Sequence, residues 1–288
     1  MESLRHGLGV VLSVATLVGW GGCASMPPDQ AARRELLLSA AQQCQRQYPF
    51  VMRFEFDRFD RLLWLYRETA SQSDRDAFSR CYAESVQQFT RAAAAAAPST
   101  PAGQQVSQGP AIEAPALRPG YEWTYRWESP RGSGTFVWEL NRIETTLDDV
   151  DCYVVRSGRR EILWRKTDLA SVLERVGQVT ELKYVPPRLN ITWPLRVGNS
   201  WEQLLVRERP QERQTTSLYR SWRVESFEQV KVPAGTFGAF KITSRDKWAD
   251  TLVVEAWYAA EVRNVVRTID HTTSGGAETR VLTSFKLD

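Results

Sequence analysis

The residues best suited to acid–base catalysis are an aspartate and a histidine that are adjacent in the sequence, Asp270 and His271. Neighbouring residues on a strand point to opposite faces of a sheet, so this pair alone does not form a catalytic dyad. A serine from elsewhere in the fold could use His271 as its base, which would make the chain an envelope hydrolase. The common motifs for nucleophile elbows, zinc proteases, phosphate loops, dithiol centres and dinucleotide binding are absent from the sequence. We therefore predict a protein without catalytic residues, enzyme activity or cofactors.

Metal-binding chemistry is equally sparse in the sequence. Only two histidines occur, His6 and His271, which excludes a histidine-rich metal site. Asp148, Asp149 and Asp151 could hold Ca²⁺ through their carboxylate oxygens, but they lack the spacing of an EF-hand, and a solvated turn is the simpler interpretation. The charges are balanced at 37 basic and 34 acidic residues, so we expect no metal site and no nucleic-acid partner.

Tryptophan is the residue type that stands out, because nine of the eleven lie after residue 120. Tyr121, Trp123, Tyr125 and Trp127 alternate with polar residues, which predicts a strand with one aromatic face. We take these four residues and Trp257 as the candidate ligand face. Such a face either fills a protein core or forms an apolar groove for a lipid or a platform for a glycan, and both interpretations stay open.

The N-terminus has the features of a targeting segment. Arg5 precedes an apolar stretch over residues 8–18, which has the length of a signal-peptide core and is too short to span a bilayer. The following Gly21-Gly22-Cys23 resembles the lipobox of bacterial lipoproteins, which implies that residues 1–22 are a signal peptide and that acylated Cys23 anchors the protein in a membrane. Ala24, in place of aspartate, implies the outer membrane, facing the periplasm. An ordinary secretory signal or an uncleaved anchor is the alternative.

Three further cysteines remain if Cys23 is lipidated. Outside the cytoplasm cysteines tend to form disulfides. Cys44 and Cys81 fall in the same predicted helical segment, so we predict that they pair and that Cys152 is left over. The alternative is that all three are small buried hydrophobic residues.

Residues 23–97 have the apolar spacing of helices. The repeats predict three short amphipathic helices in a hairpin or bundle, and their stripes are Leu37, Ala41, Cys44 and Tyr48; Met52, Phe56, Phe59, Leu63 and Tyr66; and Phe78, Tyr82, Ser85 and Phe89. Residues 98–119 have the composition of a flexible linker, with a root-mean-square span of roughly 25 Å. We therefore expect the helical segment and the remainder of the chain to move independently.

Residues 120–288 change to a period of two, with short strand-like runs separated by turn signals. This pattern predicts an antiparallel β-barrel or sandwich. The fold class is thus α+β with segregated parts: a helical segment, a linker and an all-β domain.

Four motifs in the β half occur in a characteristic order: Pro186-Pro187-Arg188, Trp193–Trp201, Val232–Phe237 and Trp257-Tyr258-Ala259. This set resembles the DUF3108-type domains, uncharacterised bacterial extracytoplasmic β domains with a "VPAGTF" hairpin and a "WYAPEVG"-type strand end. The resemblance implies β architecture and an envelope setting, and it carries over no catalytic residue. Ala260 and Arg263 stand where the pattern has proline and glycine.

Three functions fit these observations. The first, which we favour, is an outer-membrane-anchored, non-catalytic binding or assembly module with an envelope protein partner or an apolar ligand. The second is a lipid-carrier-like β module that binds an acyl chain, and it requires an internal apolar cavity. The third is the envelope hydrolase, which requires polar residues that converge in a cleft.

Overall fold

The structure is a computed structural model that describes residues 28–57, 61–95, 110–146, 149–271 and 276–288. Within these ranges the chain forms two helices, fourteen strands and one short 3₁₀ helix at Pro210–Glu212. Cys23, the predicted signal peptide, Phe59 and most of the predicted linker lie outside the described residues.

Twelve strands of the described chain form a closed antiparallel barrel. Each strand pairs with the next in sequence, and the last pairs back with the first. The strand bounds are β3 Glu122–Ser129, β4 Gly132–Thr145, β5 Asp151–Ser157, β6 Arg160–Arg165, β7 Ser171–Val176, β8 Val179–Arg188, β9 Ser200–Arg209, β10 Gln214–Val232, β11 Gly235–Asp246, β12 Thr251–Ala259, β13 Asn264–Asp270 and β14 Glu278–Lys286. The predicted antiparallel β architecture is confirmed, and of the two predicted forms the barrel is the one observed.

The two predicted hairpin motifs explain sharp turns between barrel strands. Val232 pairs with Gly235 across a two-residue loop, and Gly235 has a φ of 145°, which only glycine adopts easily. Arg263 ends the loop between β12 and β13 with a φ of 58°. This left-handed conformation explains why the resembling pattern has glycine at that position.

The N-terminal module consists of helix α1 (Pro28–Gln47), strands β1 (Val51–Phe56) and β2 (Leu62–Tyr66), and helix α2 (Gln72–Ala95). The prediction of three helices is therefore wrong for the middle one, which is replaced by a β-hairpin. Apolar residues from Met52 to Tyr66 fit a helical spacing, but Leu62, Trp64 and Tyr66 also alternate, and these three are buried. This short apolar run fits both the helical period and the strand period. It forms a strand because it pairs with β1 and with a strand of the barrel.

A disulfide joins the two helices, as predicted. Cys44 and Cys81 are bonded with their Cα atoms 6.0 Å apart, and both cysteines belong to the apolar interior of the module. Cys152 is buried as a free thiol in a small apolar cluster, and burial raises its pKa to about 11.

The module is fixed to the barrel, so the prediction of independent movement is wrong. Strand β2 pairs with the first part of β10, with Trp64 opposite Thr215 and Leu63 opposite Thr216. Val185, Leu204 and Val206 of the barrel belong to the same apolar cluster as the module's helices. The barrel therefore supplies part of the surface on which the module folds.

Polar contacts join the module and the barrel as well. Ser79 on α2 donates a hydrogen bond to Glu208 at 2.6 Å, and Tyr82 donates one to Ser217 at 3.2 Å. Asp76 pairs with Lys183 at 2.6 Å. These contacts fix α2 against strands β8, β9 and β10.

Candidate functional site

The interior of the barrel holds a cavity of about 760 Å³. Each of the twelve barrel strands contributes at least one residue to its lining, so the cavity is the lumen of the barrel and not a surface cleft. Its volume falls in the range of about 300–1,000 Å³ that is usual for small-molecule sites. The lining combines aromatic and aliphatic side chains with a group of charged ones.

Four aromatic residues of the cavity lining lie on strands β3, β4 and β6. We call Trp127, Phe136, Trp138 and Trp164 the aromatic wall, since all four line the cavity. The Trp138 and Trp164 rings meet edge to face at 5.6 Å, and Phe136 and Trp138 each lie 5.3 Å from the buried Tyr125 ring. These ring contacts hold the wall in place, so it offers a preformed apolar surface.

Four residues of the predicted ligand face are buried in the barrel's apolar core. Tyr121, Trp123, Tyr125 and Trp257 belong to one large apolar cluster, and Trp123 has no exposed surface. The Trp123 indole nitrogen donates to the Val262 carbonyl at 2.9 Å, and the Tyr125 hydroxyl donates to the Val265 carbonyl at 2.8 Å. Because the polar atoms of these two side chains are satisfied by the barrel's own backbone, they act as core residues.

Trp127 is the member of the predicted face that reaches the cavity. Gly134 lies opposite it on β4, and a Cβ atom there would lie 2.8 Å from the Trp127 indole nitrogen. The glycine therefore allows the indole to approach the β4 backbone. Trp257 is buried in the same apolar cluster as Trp123, with Lys241 and Arg267 over its ring, and its indole nitrogen donates to Glu228 at 2.7 Å.

A second group of lining residues is cationic. We call Arg188, Arg207 and Arg220 the arginine trio; they lie on the adjacent strands β8, β9 and β10 and line the cavity. Burial lowers the pKa of Arg207 and of Arg220. The positive charges of Arg209, Arg61 and Arg220 lower the pKa of Arg207 further.

The members of the trio differ in their partners. Arg188 donates to the Tyr184 hydroxyl at 2.8 Å and lies over the Tyr184 ring. Arg220 lies 3.2 Å from Asp246. Arg207 forms no ion pair with a carboxylate of the described chain, and its Nε atom is buried without an acceptor.

Sequence reasoning did not identify the arginine trio, although a weak signal was present. Leu218, Arg220 and Trp222 share one face of β10, and all three line the cavity. A charged residue between two apolar residues of the same parity is an inward-facing charge on a strand. That pattern becomes meaningful only when the face is known to be interior.

The residues considered for catalysis are separated in the structure. Asp270 lines the cavity, whereas the His271 imidazole lies 3.2 Å from Glu255, which also pairs with Lys241 at 2.8 Å. Asp151 accepts a hydrogen bond from Thr145 at 2.8 Å, and Asp148 lies outside the described residues. In the part of the chain that the structure covers, no group of three histidine, cysteine, aspartate or glutamate residues could hold a metal ion.

Neither of the two described helices is both long enough and apolar enough to cross a bilayer.

Comparisons with known proteins find solved structures that resemble this one but no matching protein family. Neither a protein-family model nor a curated protein matches the sequence, so membership in the DUF3108-type domains stays a prediction. A proposed lipoprotein of Parabacteroides distasonis aligns over 62% of this chain and 100% of its own, with 13% identity and a TM-score of 0.33. A proposed exported protein of Bacteroides fragilis, described as having a YmcC-like fold, aligns over 61% and 99%, with 14% identity and a TM-score of 0.35. The hypothetical lipoprotein YmcC of Escherichia coli aligns over 58% and 88%, with 10% identity and a TM-score of 0.36.

Proposed function

We propose that the protein is a lipid-anchored, non-catalytic module of the outer membrane that binds an apolar ligand inside its barrel. The observation that carries this proposal is the cavity of about 760 Å³ with its aromatic wall. An internal cavity is the feature that the lipid-carrier interpretation requires. The favoured function, a binding module with an apolar ligand, and the lipid-carrier alternative therefore become a single proposal.

The physical argument for an apolar ligand is the chemistry of the cavity surface. Binding is favoured when a ligand covers the tryptophan and phenylalanine rings that line the cavity and removes them from water. The stabilisation is about 25 cal/mol per Å² of apolar surface. A closed ring of strands surrounds that surface. An acyl chain matches this environment, whereas a small polar solute leaves the rings solvated.

The anchor belongs to the same proposal. The Gly21-Gly22-Cys23 junction and Ala24 support acylation of Cys23 and delivery to the outer membrane, on its periplasmic side. Wild-type cells should incorporate labelled palmitate into the protein; Cys23→Ser should abolish the label and, when it is exported behind an ordinary secretory signal, should leave the mature chain free of the membrane. A Cys23→Ser protein that stays equally membrane-bound after removal of its signal peptide would contradict the anchor.

The binding experiment fills the cavity by mutation. Ala256 on β12 lines the cavity, so Ala256→Phe should occupy part of the space that a ligand needs. The matched control is Ala260→Phe, because Ala260 is exposed and follows directly after β12 ends at Ala259. The two variants add the same side chain to the same region of the barrel, one inside the cavity and one at the surface.

A fluorescent neutral apolar probe reports the result. It should bind the wild type and the Ala260→Phe variant with similar affinity, and it should bind Ala256→Phe about tenfold more weakly or not at all, which corresponds to a loss of about 1.4 kcal/mol or more. Circular dichroism of each variant confirms that the barrel is folded. Equal binding by all three proteins would place the probe outside the barrel and contradict the proposal.

A further inference from the structure

We propose that the barrel cavity selects an anionic amphiphile, with its apolar part on the aromatic wall and its oxyanion on the arginine trio. This inference rests on the proposed function and adds the charge of the ligand to it. Both surfaces line the same cavity, so one molecule can contact both.

The strongest observation is the unpaired guanidinium of Arg207. Its Nε atom is buried and has no acceptor among the described residues, and the same holds for the Nε atom of Arg188. A buried donor without an acceptor is unfavourable, and a buried cation without a counter-ion is more so. A ligand oxyanion in the cavity would supply the missing acceptor and the missing charge.

Arg220 has only part of its bonding capacity satisfied. Its Nη1 atom lies 3.2 Å from the Asp246 carboxylate, which is an ion-pair distance, yet the geometry is not that of a hydrogen bond. Arg61, which is hydrogen-bonded to Asp57, adds positive charge from the end of the module. After burial itself, this charge contributes to the lowered pKa of both Arg207 and Arg220. The local field around the trio is therefore positive.

The charge of the whole lining points the same way. Among the described residues, six arginines and three carboxylates line the cavity. Two of the carboxylates, Glu174 and Glu278, are already paired with neighbouring arginines of the lining. The third, Asp270, lies close enough for its charge to act on Arg220. Positive charge therefore remains on the other two members of the arginine trio.

Arginine is suited to this task because its planar guanidinium binds a carboxylate or a phosphate through two parallel hydrogen bonds. The shared chemistry is an oxyanion on an apolar chain. A fatty acid and a phosphorylated lipid both have it, and the experiment separates them.

The test uses the full mature chain with Cys23→Ser, exported behind an ordinary secretory signal, so that the protein's own acyl chains cannot fill the cavity. Palmitate, hexadecyl phosphate and neutral hexadecanol are compared as competitors of the fluorescent apolar probe. We expect one or both anionic competitors to bind at least about tenfold more tightly than hexadecanol. The tighter of the two identifies the headgroup as carboxylate or phosphate.

The variant Arg207→Gln should reduce that preference about tenfold and leave hexadecanol binding unchanged. Arg223→Gln is the matched control, because Arg223 is an exposed arginine on β10. The ligand-free Arg207→Gln protein should also melt at a temperature no lower than the wild type, because an unpaired and half-buried cation has been removed. If Arg207 only stabilises the fold, the Arg207→Gln variant should melt at a lower temperature than the wild type. If Arg207→Gln does not fold, Arg188→Gln tests the same preference.

The outcomes separate the two proposals. Equal binding of anionic and neutral competitors would overturn the anion site and leave the proposed function standing. If inorganic phosphate binds as tightly as the long-chain anions, the apolar chain does not contribute and the ligand is not an amphiphile. A wild-type protein that binds none of the long-chain compounds would overturn the proposed function itself.

Discussion

At the scale of single residues, the tryptophans divide into those that stabilise the barrel and those that face its cavity. Trp123 is fully buried and hydrogen-bonded, so Trp123→Ala should cost about 3–5 kcal/mol of unfolding free energy. Trp127 faces the cavity, so Trp127→Ala should cost less than about 1.5 kcal/mol and weaken binding of the apolar probe. Chemical denaturation of both variants measures the difference. Equal losses would show that the two indoles have the same structural role.

Glu208 makes stability depend on pH. Its side chain is buried between α2 and the barrel, where it accepts hydrogen bonds from Ser79 and Gln72. Burial raises its pKa, and the nearby charge of Asp76 adds to the rise. Because the folded-state pKa lies above the unfolded value, the unfolded chain loses this proton first as pH rises. The contribution of Glu208 to stability therefore falls as pH rises from the unfolded pKa towards the folded one.

The variant Glu208→Gln removes this titration. We expect the stability of Glu208→Gln relative to the wild type to increase as the pH rises above the usual range of a glutamate pKa, measured by urea denaturation at each pH. Exposed Glu122→Gln serves as the control and should follow the wild-type profile. A difference between Glu208→Gln and the wild type that stays constant with pH would contradict the raised pKa.

At the scale of elements, the disulfide between α1 and α2 closes a loop of 37 residues. The loop-entropy relation gives a stabilisation of about 4 kcal/mol for a loop of this length. The double variant Cys44→Ser/Cys81→Ser should therefore lose about 2–4 kcal/mol, and Cys152→Ser should lose much less. Denaturation of the oxidised and reduced wild type provides the same comparison without mutation. No change on reduction would show that the module is held by its noncovalent contacts alone.

The strand pattern predicted the barrel better than the helical pattern predicted the module. Regular alternation such as Tyr121, Trp123 and Tyr125 occurs in strands with clear turn residues, so one period fits and the other does not. In the module, the run from Leu62 to Tyr66 is short enough for both periods. Its conformation is decided by pairing with β1 and β10, which no local pattern records.

Only part of the cavity lining could be predicted from the sequence. Trp127 was identified by its alternation, but its neighbours Trp123 and Tyr125 have the same pattern and are core residues. The arginine trio depends on which strands lie side by side and on which face points inward. Its three members come together only because β8, β9 and β10 are adjacent in the closed barrel.

At the scale of the whole molecule, the module and the barrel should unfold together. They share an apolar cluster that includes Leu204, Val206 and Trp248, and Trp248 lies under the Arg33 guanidinium of α1. Calorimetry of the mature chain should therefore show one transition, with equal calorimetric and van't Hoff enthalpies. Two separate transitions would mean that the shared cluster does not couple the two parts.

The Cys44–Cys81 bond also determines how the molecule carries mechanical tension. A pull on the proposed anchor at Cys23 would travel along α1, cross the disulfide to α2 and continue along the chain towards β3. The residues between the two cysteines, which include the β1–β2 hairpin, are left out of that path. Tension along that path would therefore not act on β2 or on its pairing with β10.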